Sequence, residues 1–247
     1  MIPLRTPRVA GLAILLPFLV GADPPRPKPA APPFEPTDHY ERRTVAGWTV
    51  MVSKGFLADR GALAATTLVH LEHQLYQIKH KLPAAAVAKL QTVHIWVEEH
   101  EPHHPCMAYH PDPGWLRDHG MNPDKARCVE VANARNFLSW TREQPWMVLH
   151  ELAHAYHDQV LEGGFDNRDI RDAFRHATEA KLYATVLHYD GKQVRAYAAT
   201  NPMEYFAEST AAFFGANDFY PFVRAELQRH DPAIDRLLLR VWGGDHP

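Results

Sequence analysis

The apolar positions of the chain follow two periods, which predict two kinds of element. Short runs of alternating or clustered apolar and β-branched residues predict strands, at 42–52, 92–97 and 128–132. Segments with apolar residues at helical spacing predict helices, at 63–82, 145–160, 169–183, 201–214 and 219–242. The segment 101–127 is rich in proline, glycine, histidine and aspartate, and predicts a long loop with one short helix near Trp115. We therefore expect an α+β domain.

Turn and capping residues sharpen this prediction for the second half of the chain. Asp190 and Gly191 are typical of a two-residue hairpin between short strands. Asn201 can cap a helix, Pro202 suits its first position and Gly215 suits its end. The second half is therefore expected to be mainly helical, below a small sheet.

The first 22 residues have the pattern of a secretory leader. Arg5 and Arg8 form a basic start, an apolar stretch follows at 10–20, and small residues end at Ala22. The apolar stretch is too short to span a bilayer comfortably. We predict a signal peptide at 1–22 that is cleaved, and hence a secreted or periplasmic protein without membrane contact. An uncleaved anchor is the alternative.

Composition separates the remaining chain into a linker and one domain. Residues 23–37 hold seven prolines, which predicts an extended linker, and 38–247 are left as one domain. Apolar residues make up 46% of the chain, enough for a sizeable core. The net charge of −3 and a pI near 6.6 argue against a nucleic-acid partner. The oligomeric state does not follow from the sequence.

Two cysteines, Cys106 and Cys128, are present. An even number of cysteines behind a signal peptide predicts a disulfide, which would stabilise the fold by about 3 kcal/mol. A zinc site with His103 or His104 is the alternative, although the paired spacing of such sites is missing.

Residues 150–154, HELAH, carry the strongest indication of chemistry. On a helix, His150 and His154 lie on one face and can bind one metal ion. Glu151 between them is placed to take a proton from water at the open metal position. The predicted helix is otherwise apolar, and a buried pair of imidazoles needs a partner such as Zn2+.

A catalytic zinc ion needs a third protein ligand. Glu204 is the better candidate, because Glu208 lies four residues later on the same helical face. One carboxylate can then bind metal while the other holds a ligating imidazole from behind. Glu179 on the preceding predicted helix is the alternative.

HELAH and the later segment YAATNPMEYFAE, residues 197–208, together resemble the catalytic domain of anthrax lethal factor and its relatives, the gluzincin metallopeptidases. The resemblance covers about 60 residues, and Pro202 and Tyr205 depart from the family pattern without removing a functional group. It implies a zincin-like metallopeptidase fold, with a small twisted sheet over an active-site helix and a mainly helical C-terminal half.

The resemblance also implies a role for each matched residue. It implies three zinc ligands, His150, His154 and Glu204. It implies Glu151 as general base and Glu208 as the acid behind a ligating histidine. It implies Tyr197 as a phenol near the oxyanion, and a phenol can donate a hydrogen bond to such a developing charge.

These expectations combine into a zinc metallopeptidase that acts on a peptide or protein, although another amide substrate stays open. Two alternatives come from other classes. The first is a catalytically inactive zincin-fold protein that binds metal as a scaffold, against which an intact Glu151 and Tyr197 argue. The second is a histidine-rich metal-binding protein without catalysis, against which the scattered histidines argue.

Substrate is expected to lie along an edge strand of the sheet, whose unpaired N–H and C=O groups can bind an extended peptide. The segment 128–133 is the candidate edge, because it is short and precedes the active-site helix by about a dozen residues. The segment 92–97 is the alternative. Tyr109 and His110, in the predicted loop, are not expected to have a role.

Overall fold

Five strands form one mixed sheet in the computed structural model, which describes residues 34–243. They are Tyr40–Val45 (β1), Trp48–Ser53 (β2), Ile95–Val97 (β3), Met107–His110 (β4) and Cys128–Val131 (β5). Their spatial order is β1-β2-β3-β5-β4. β1 and β2 are antiparallel, β2, β3 and β5 run parallel, and β4 is antiparallel to β5. β1 and β4 are therefore the two edges of this sheet.

The predicted signal peptide, 1–22, lies outside the described residues, as does the predicted linker up to residue 33. The end of the linker segment contacts the domain. The Asn122 side-chain amide donates to the backbone oxygen of Glu35 at 3.1 Å and to the hydroxyl of Thr37 at 3.0 Å. These two residues therefore lie against the domain surface.

The single strand predicted at 42–52 is in fact the hairpin β1–β2. Its turn consists of Ala46 and Gly47, with φ of 49° and 101°. Two positive φ values give a turn whose twist matches that of the flanking strands. Alanine seldom adopts this conformation, so the turn lacks the usual residue pair and the sequence does not predict it.

The predicted edge strand is also corrected. β5 lies between β3 and β4, and β3 lies between β2 and β5, so neither 128–133 nor 92–97 contains an edge. The edge beside the helix that carries HELAH is β4, inside the segment predicted as a loop. β4 has only four residues among prolines, histidines and aspartates, and its pairing with β5 defines it rather than its own composition.

The predicted disulfide is wrong, since Cys106 and Cys128 are both free and buried in the described structure. The β4–β5 register places His110 opposite Cys128, whereas Cys106 precedes the other end of β4. Four residues along a strand span about 13 Å, and a disulfide allows at most about 7 Å between Cα atoms. Instead, the Cys106 sulfur lies 3.3 Å from the Met147 sulfur, and the Cys128 thiol donates to the Ala126 oxygen at 3.4 Å.

The helices of the first half are Lys54–Asp59 (α1), Gly61–Lys81 (α2), Ala84–Leu90 (α3), Pro113–Asp118 (α4) and Ala134–Trp140 (α5). Those of the second half are Met147–Gln159 (α6), Arg168–Glu179 (α7), Pro202–Phe214 (α8), Arg224–His230 (α9) and Pro232–Trp242 (α10). A short hairpin, Val186–Leu187 (β6) and Gln193–Val194 (β7), lies between α7 and α8. Its turn includes the predicted Asp190 and Gly191, but the connection is longer than the two-residue turn predicted, because the strand pairing ends at Leu187 and Gln193.

Alternate residues of the central strands form the main core with α2 and α6. Val52, Val97 and Val131 are fully buried there, together with Leu75 of α2 and Leu152 of α6. Around α8, the helices α6, α7, α9 and α10 form the helical half. The expected α+β class is therefore confirmed. Among residues 34–243, no helix is long and apolar enough to cross a membrane.

The other face of the sheet carries a buried charged network of Lys125, Glu98, Glu130 and His110. The Lys125 ammonium contacts Glu98 and lies 2.5 Å from Glu130, and His110 Nε2 lies 2.7 Å from Glu130. Glu130 is fully buried and Lys125 almost so. Buried charges are tolerated when paired in this way, so the network ties the segment after β4 to β5.

Candidate metal centre

Helix α6 presents two histidines to the cleft below the sheet. The helix predicted at 145–160 is confirmed to within two residues. Leu149, Leu152 and Ala153 are fully buried in the main core, which fixes the rotation of the helix. His150 and His154, one turn apart, therefore project together towards α8.

The three predicted ligands meet at one point. His150 Nε2 lies 3.1 Å from His154 Nε2 and 3.1 Å from Glu204 Oε2, and His154 Nε2 lies 3.2 Å from the same oxygen. Tetrahedral zinc with bonds of about 2.0 Å holds its ligand atoms about 3.3 Å apart. The triangle of donor atoms therefore fits a zinc ion.

Glu179, the alternative third ligand, does not join this group. It is the last residue of α7 and is exposed. Among residues 34–243, the group of His150, His154 and Glu204 is the one set of ligand atoms found close enough to share an ion.

Helix α8 places Glu204 through its capped first turn. The Asn201 side chain accepts a hydrogen bond from the Glu204 backbone N–H at 2.9 Å, and Pro202 occupies the first turn. Tyr205 and Phe206 are fully buried and anchor the helix. Burial opposes ionisation, but the hydrogen bonds and charges of the two histidines outweigh it and lower the pKa of Glu204.

Glu208, one turn after Glu204 on α8, contacts the ring nitrogen of His150 that faces away from Glu204. Its Oε1 lies 3.1 Å from His150 Nδ1, and its Oε2 accepts a hydrogen bond from the Asn217 side chain at 3.1 Å. An Nδ1–H donated to Glu208 leaves the Nε2 lone pair free for a metal. Although burial opposes protonation, Glu204 and Glu208 raise the pKa of His150 well above its ordinary value, so the centre favours positive charge.

Glu151 is held by the edge strand. Its Oε2 accepts a hydrogen bond from the backbone N–H of Tyr109 in β4 at 2.9 Å. Glu151 lines the same cleft as the three ligands. A carboxylate at this place can exchange a proton with water or with a bound amide in the cleft.

Tyr197 lies on the other side of the candidate ligands, in a short 3-10 turn before α8. Its hydroxyl donates to Glu204 Oε1 at 3.3 Å, and its ring centre lies 6.4 Å from that of His150. The side chain is 47% exposed to the cleft. Burial and the Glu204 charge raise the pKa of Tyr197 to about 12, so its phenol is a donor at neutral pH.

The cleft around these residues has a volume of about 690 Å³. Its walls are partly apolar, with Met107 of β4 on one side and Trp146, Tyr189 and Phe219 among the others. This volume is in the range of small-ligand sites and accommodates a few residues of an extended peptide.

Two residues at the site were not predicted. Tyr109 was given no role, because its contribution to Glu151 comes from a backbone N–H, which no side-chain pattern reveals. Asn217 follows α8 by three residues. A side-chain amide in such a turn does not reveal from the sequence which residue it will bind. Only the pairing of β4 and the course of the chain after α8 place them here.

Comparison of the chain with models of known protein families, with curated proteins and with solved structures found no match.

Proposed function

We propose that this protein is a zinc-dependent peptidase. One observation carries the proposal: His150, His154 and Glu204 meet at separations of 3.1–3.2 Å in a cleft that Glu151 also lines. Two imidazoles and a carboxylate are a ligand set of catalytic zinc sites, which keep a fourth position open. Glu151 supplies the base that a purely structural zinc site lacks.

The side chains around the ligands divide the chemistry of amide hydrolysis. When bound, Zn2+ acts as a Lewis acid and lowers the pKa of water towards about 7. Glu151 accepts a proton from the attacking water and delivers it to the leaving amine. Tyr197 donates a hydrogen bond to the oxyanion that develops on the scissile carbonyl. Glu208 keeps His150 in the tautomer that offers Nε2 to the metal.

The zincin-like fold belongs to the same proposal. A small twisted sheet above α6 and a helical half that supplies the third ligand agree with that architecture. The edge strand β4 flanks the cleft, and an extended peptide can pair with its outward N–H and C=O groups other than the Tyr109 N–H, which Glu151 accepts. We take the substrate to be a peptide or protein, and no nucleic acid or membrane to be a partner. The proposed site of action is outside the cytoplasm, on the evidence of the leader 1–22 alone.

The ligand set is tested by metal content. Purified protein should contain one zinc per chain by elemental analysis, and Glu204→Ala should lose most of it, because two imidazoles alone bind zinc weakly. Glu179→Ala is the matched control and should retain full stoichiometry. Zinc lost from the control and kept in Glu204→Ala would move the third ligand to Glu179.

Activity is tested with a mixture of peptides and mass-spectrometric detection of products. Wild-type protein should cleave peptide bonds, and a zinc chelator should abolish cleavage. Glu151→Gln should keep its zinc and lose at least about 100-fold in kcat, because the general base is removed. Glu162→Gln, the same change on an exposed residue outside the cleft, should behave as wild type. Stoichiometric zinc without any cleavage would instead identify a metal-binding scaffold.

A further inference from the structure

Tyr109 of the edge strand contacts α6 at two places. Its backbone N–H donates to Glu151 Oε2 at 2.9 Å, and its phenol donates to Asp158 Oδ2 at 2.6 Å. The Gln159 side chain donates to the same phenol at 3.0 Å. Glu151 and Asp158 are seven residues apart, which places them on one side of the helix about 10 Å apart along its axis.

The direction of the Tyr109 N–H follows from the pairing of β4 with β5. The Cys106 oxygen accepts from the Ala132 N–H at 2.8 Å, and the His110 oxygen accepts from the Arg127 N–H at 2.5 Å. Successive residues of an antiparallel strand turn their N–H groups to opposite sides. Tyr109 therefore points its N–H away from β5, towards the cleft, where Glu151 receives it.

This geometry makes the phenol an anchor for the strand. Tyr109 is 8% exposed, and burial, followed by the Asp158 hydrogen bond, raises the pKa of its phenol, which stays protonated as a donor. β4 is an edge strand of four residues that pairs with another strand on one side only, so few hydrogen bonds fix its distance from α6. The hydrogen bond from Tyr109 to Asp158 helps to fix this distance.

We propose that Tyr109 is a positioning residue for the general base: its amide fixes one oxygen of the Glu151 carboxylate, and its phenol, bonded to Asp158, fixes the strand that carries the amide. The proposal rests on the proposed peptidase function. With one oxygen held by the strand, the other oxygen of Glu151 is left to meet water and the leaving amine. Small displacements of such a group cost large factors in rate, because proton transfer needs a short, aligned contact.

Kinetics of three variants test the anchor in the zinc-loaded full chain. Tyr109→Phe keeps the amide and removes the anchor, and should lower kcat about tenfold with KM changed less than about twofold. Asp158→Leu should lower kcat by a similar factor. Asp158→Asn, which keeps an acceptor oxygen, should recover most of that loss. Zinc content should stay at one per chain in all three.

Tyr156→Phe is the matched control. Tyr156 of α6 is another buried phenol, and it donates to the Val241 backbone oxygen at 3.0 Å, away from the cleft. Its loss should lower the melting temperature about as much as Tyr109→Phe does, with kcat unchanged. A wild-type kcat in Tyr109→Phe, or an equal kcat loss in Tyr156→Phe, would overturn the positioning role.

Hydrogen exchange tests the amide contact without any activity. In wild-type protein the Tyr109 amide should be protected although it points out of the sheet, and Glu151→Ala should speed its exchange at least about tenfold. The Ala108 amide, which faces β5, should keep its rate. Exchange of Tyr109 that does not respond to Glu151→Ala overturns the proposal. Absence of cleavage by wild-type protein, with this response present, would instead overturn the peptidase function on which the role depends.

Discussion

His157 stands out at the scale of single residues, because it is buried on α6 without a hydrogen bond. It is fully buried, and neither ring nitrogen has a hydrogen-bond partner among residues 34–243. Its ring packs against Phe165 and Phe206, with centres 5.2 Å and 5.1 Å away. Burial, together with the charge of His154, lowers the pKa of His157 from 6.5 to about 4. The residue is thus held neutral in an apolar place.

This burial predicts a loss of stability in mild acid. The unfolded chain takes up a proton on His157 below pH 6.5, whereas the folded chain takes it up only near pH 4. Acid therefore favours unfolding through this window, by about 3 kcal/mol in total. His157→Leu should remove that part of the pH dependence.

The measurement is the free energy of unfolding by denaturant between pH 7 and pH 4, in chelator so that metal release does not contribute. The exposed His176→Leu serves as control and should keep the wild-type slope. Equal slopes in wild type and His157→Leu would show that His157 takes up its proton in the folded state.

At the scale of elements, the sequence predicts what its own periodicity encodes. Helix α6 has thirteen residues with a continuous apolar stripe, and α8 has both a capping residue, Asn201, and an early proline, Pro202. Such signals are local, so the helices can be predicted from them without knowledge of the fold. The strand β4 has no such signal, because its pairing with β5 and its bond to Glu151 come from residues 18 to 42 positions later.

The ligand set shows the same division. The helix repeat brings His150 and His154 together, which the sequence alone predicts. The approach of Glu204 to the two histidines depends on how α6 packs against α8. The sequence favoured Glu204 over Glu179 as third ligand only because Glu208 lies on the same helical face as Glu204. The packing places Glu204 at 3.1 Å from His150 and leaves Glu179 exposed at the end of α7.

The position of β4 at the edge gives opposite expectations for two proline substitutions. Met107 lies two residues before Tyr109, so its N–H also points to the cleft, and proline there removes a donor that substrate can use. Met107→Pro should fold, bind zinc and lose about five- to tenfold in kcat/KM. Val131→Pro removes a ladder bond inside the sheet and should prevent folding or lower the melting temperature strongly.

Steady-state kinetics and thermal unfolding of the two variants, side by side, check this expectation. Wild-type kcat/KM in Met107→Pro would mean that substrate does not pair with β4. A stable Val131→Pro would contradict the internal position of β5.

For the whole molecule, the free cysteines predict a fold that does not depend on redox conditions. Cys106 is 3% and Cys128 8% exposed, and burial, followed by the Glu151 charge, raises the pKa of Cys106 to about 12. Intact mass should be the same before and after reduction, and the melting temperature should not change with reductant. Alkylating agents should label both thiols only in denaturant. A mass gain of about two hydrogens on reduction would contradict the free thiols.

The origin of the proposed zinc ligands on two separate helices has a consequence for protein abundance. His150 and His154 come from α6 and Glu204 from α8, so an ion bound to all three recognises only the packed pair of helices. An ion that binds only the folded state stabilises it, by about 4 kcal/mol when the free ion is at a thousandfold excess over Kd. Where zinc is scarce, less of this protein would then persist, since the chains without zinc would be unfolded and degraded more often. Zinc supply would set how many molecules survive as well as how many can act.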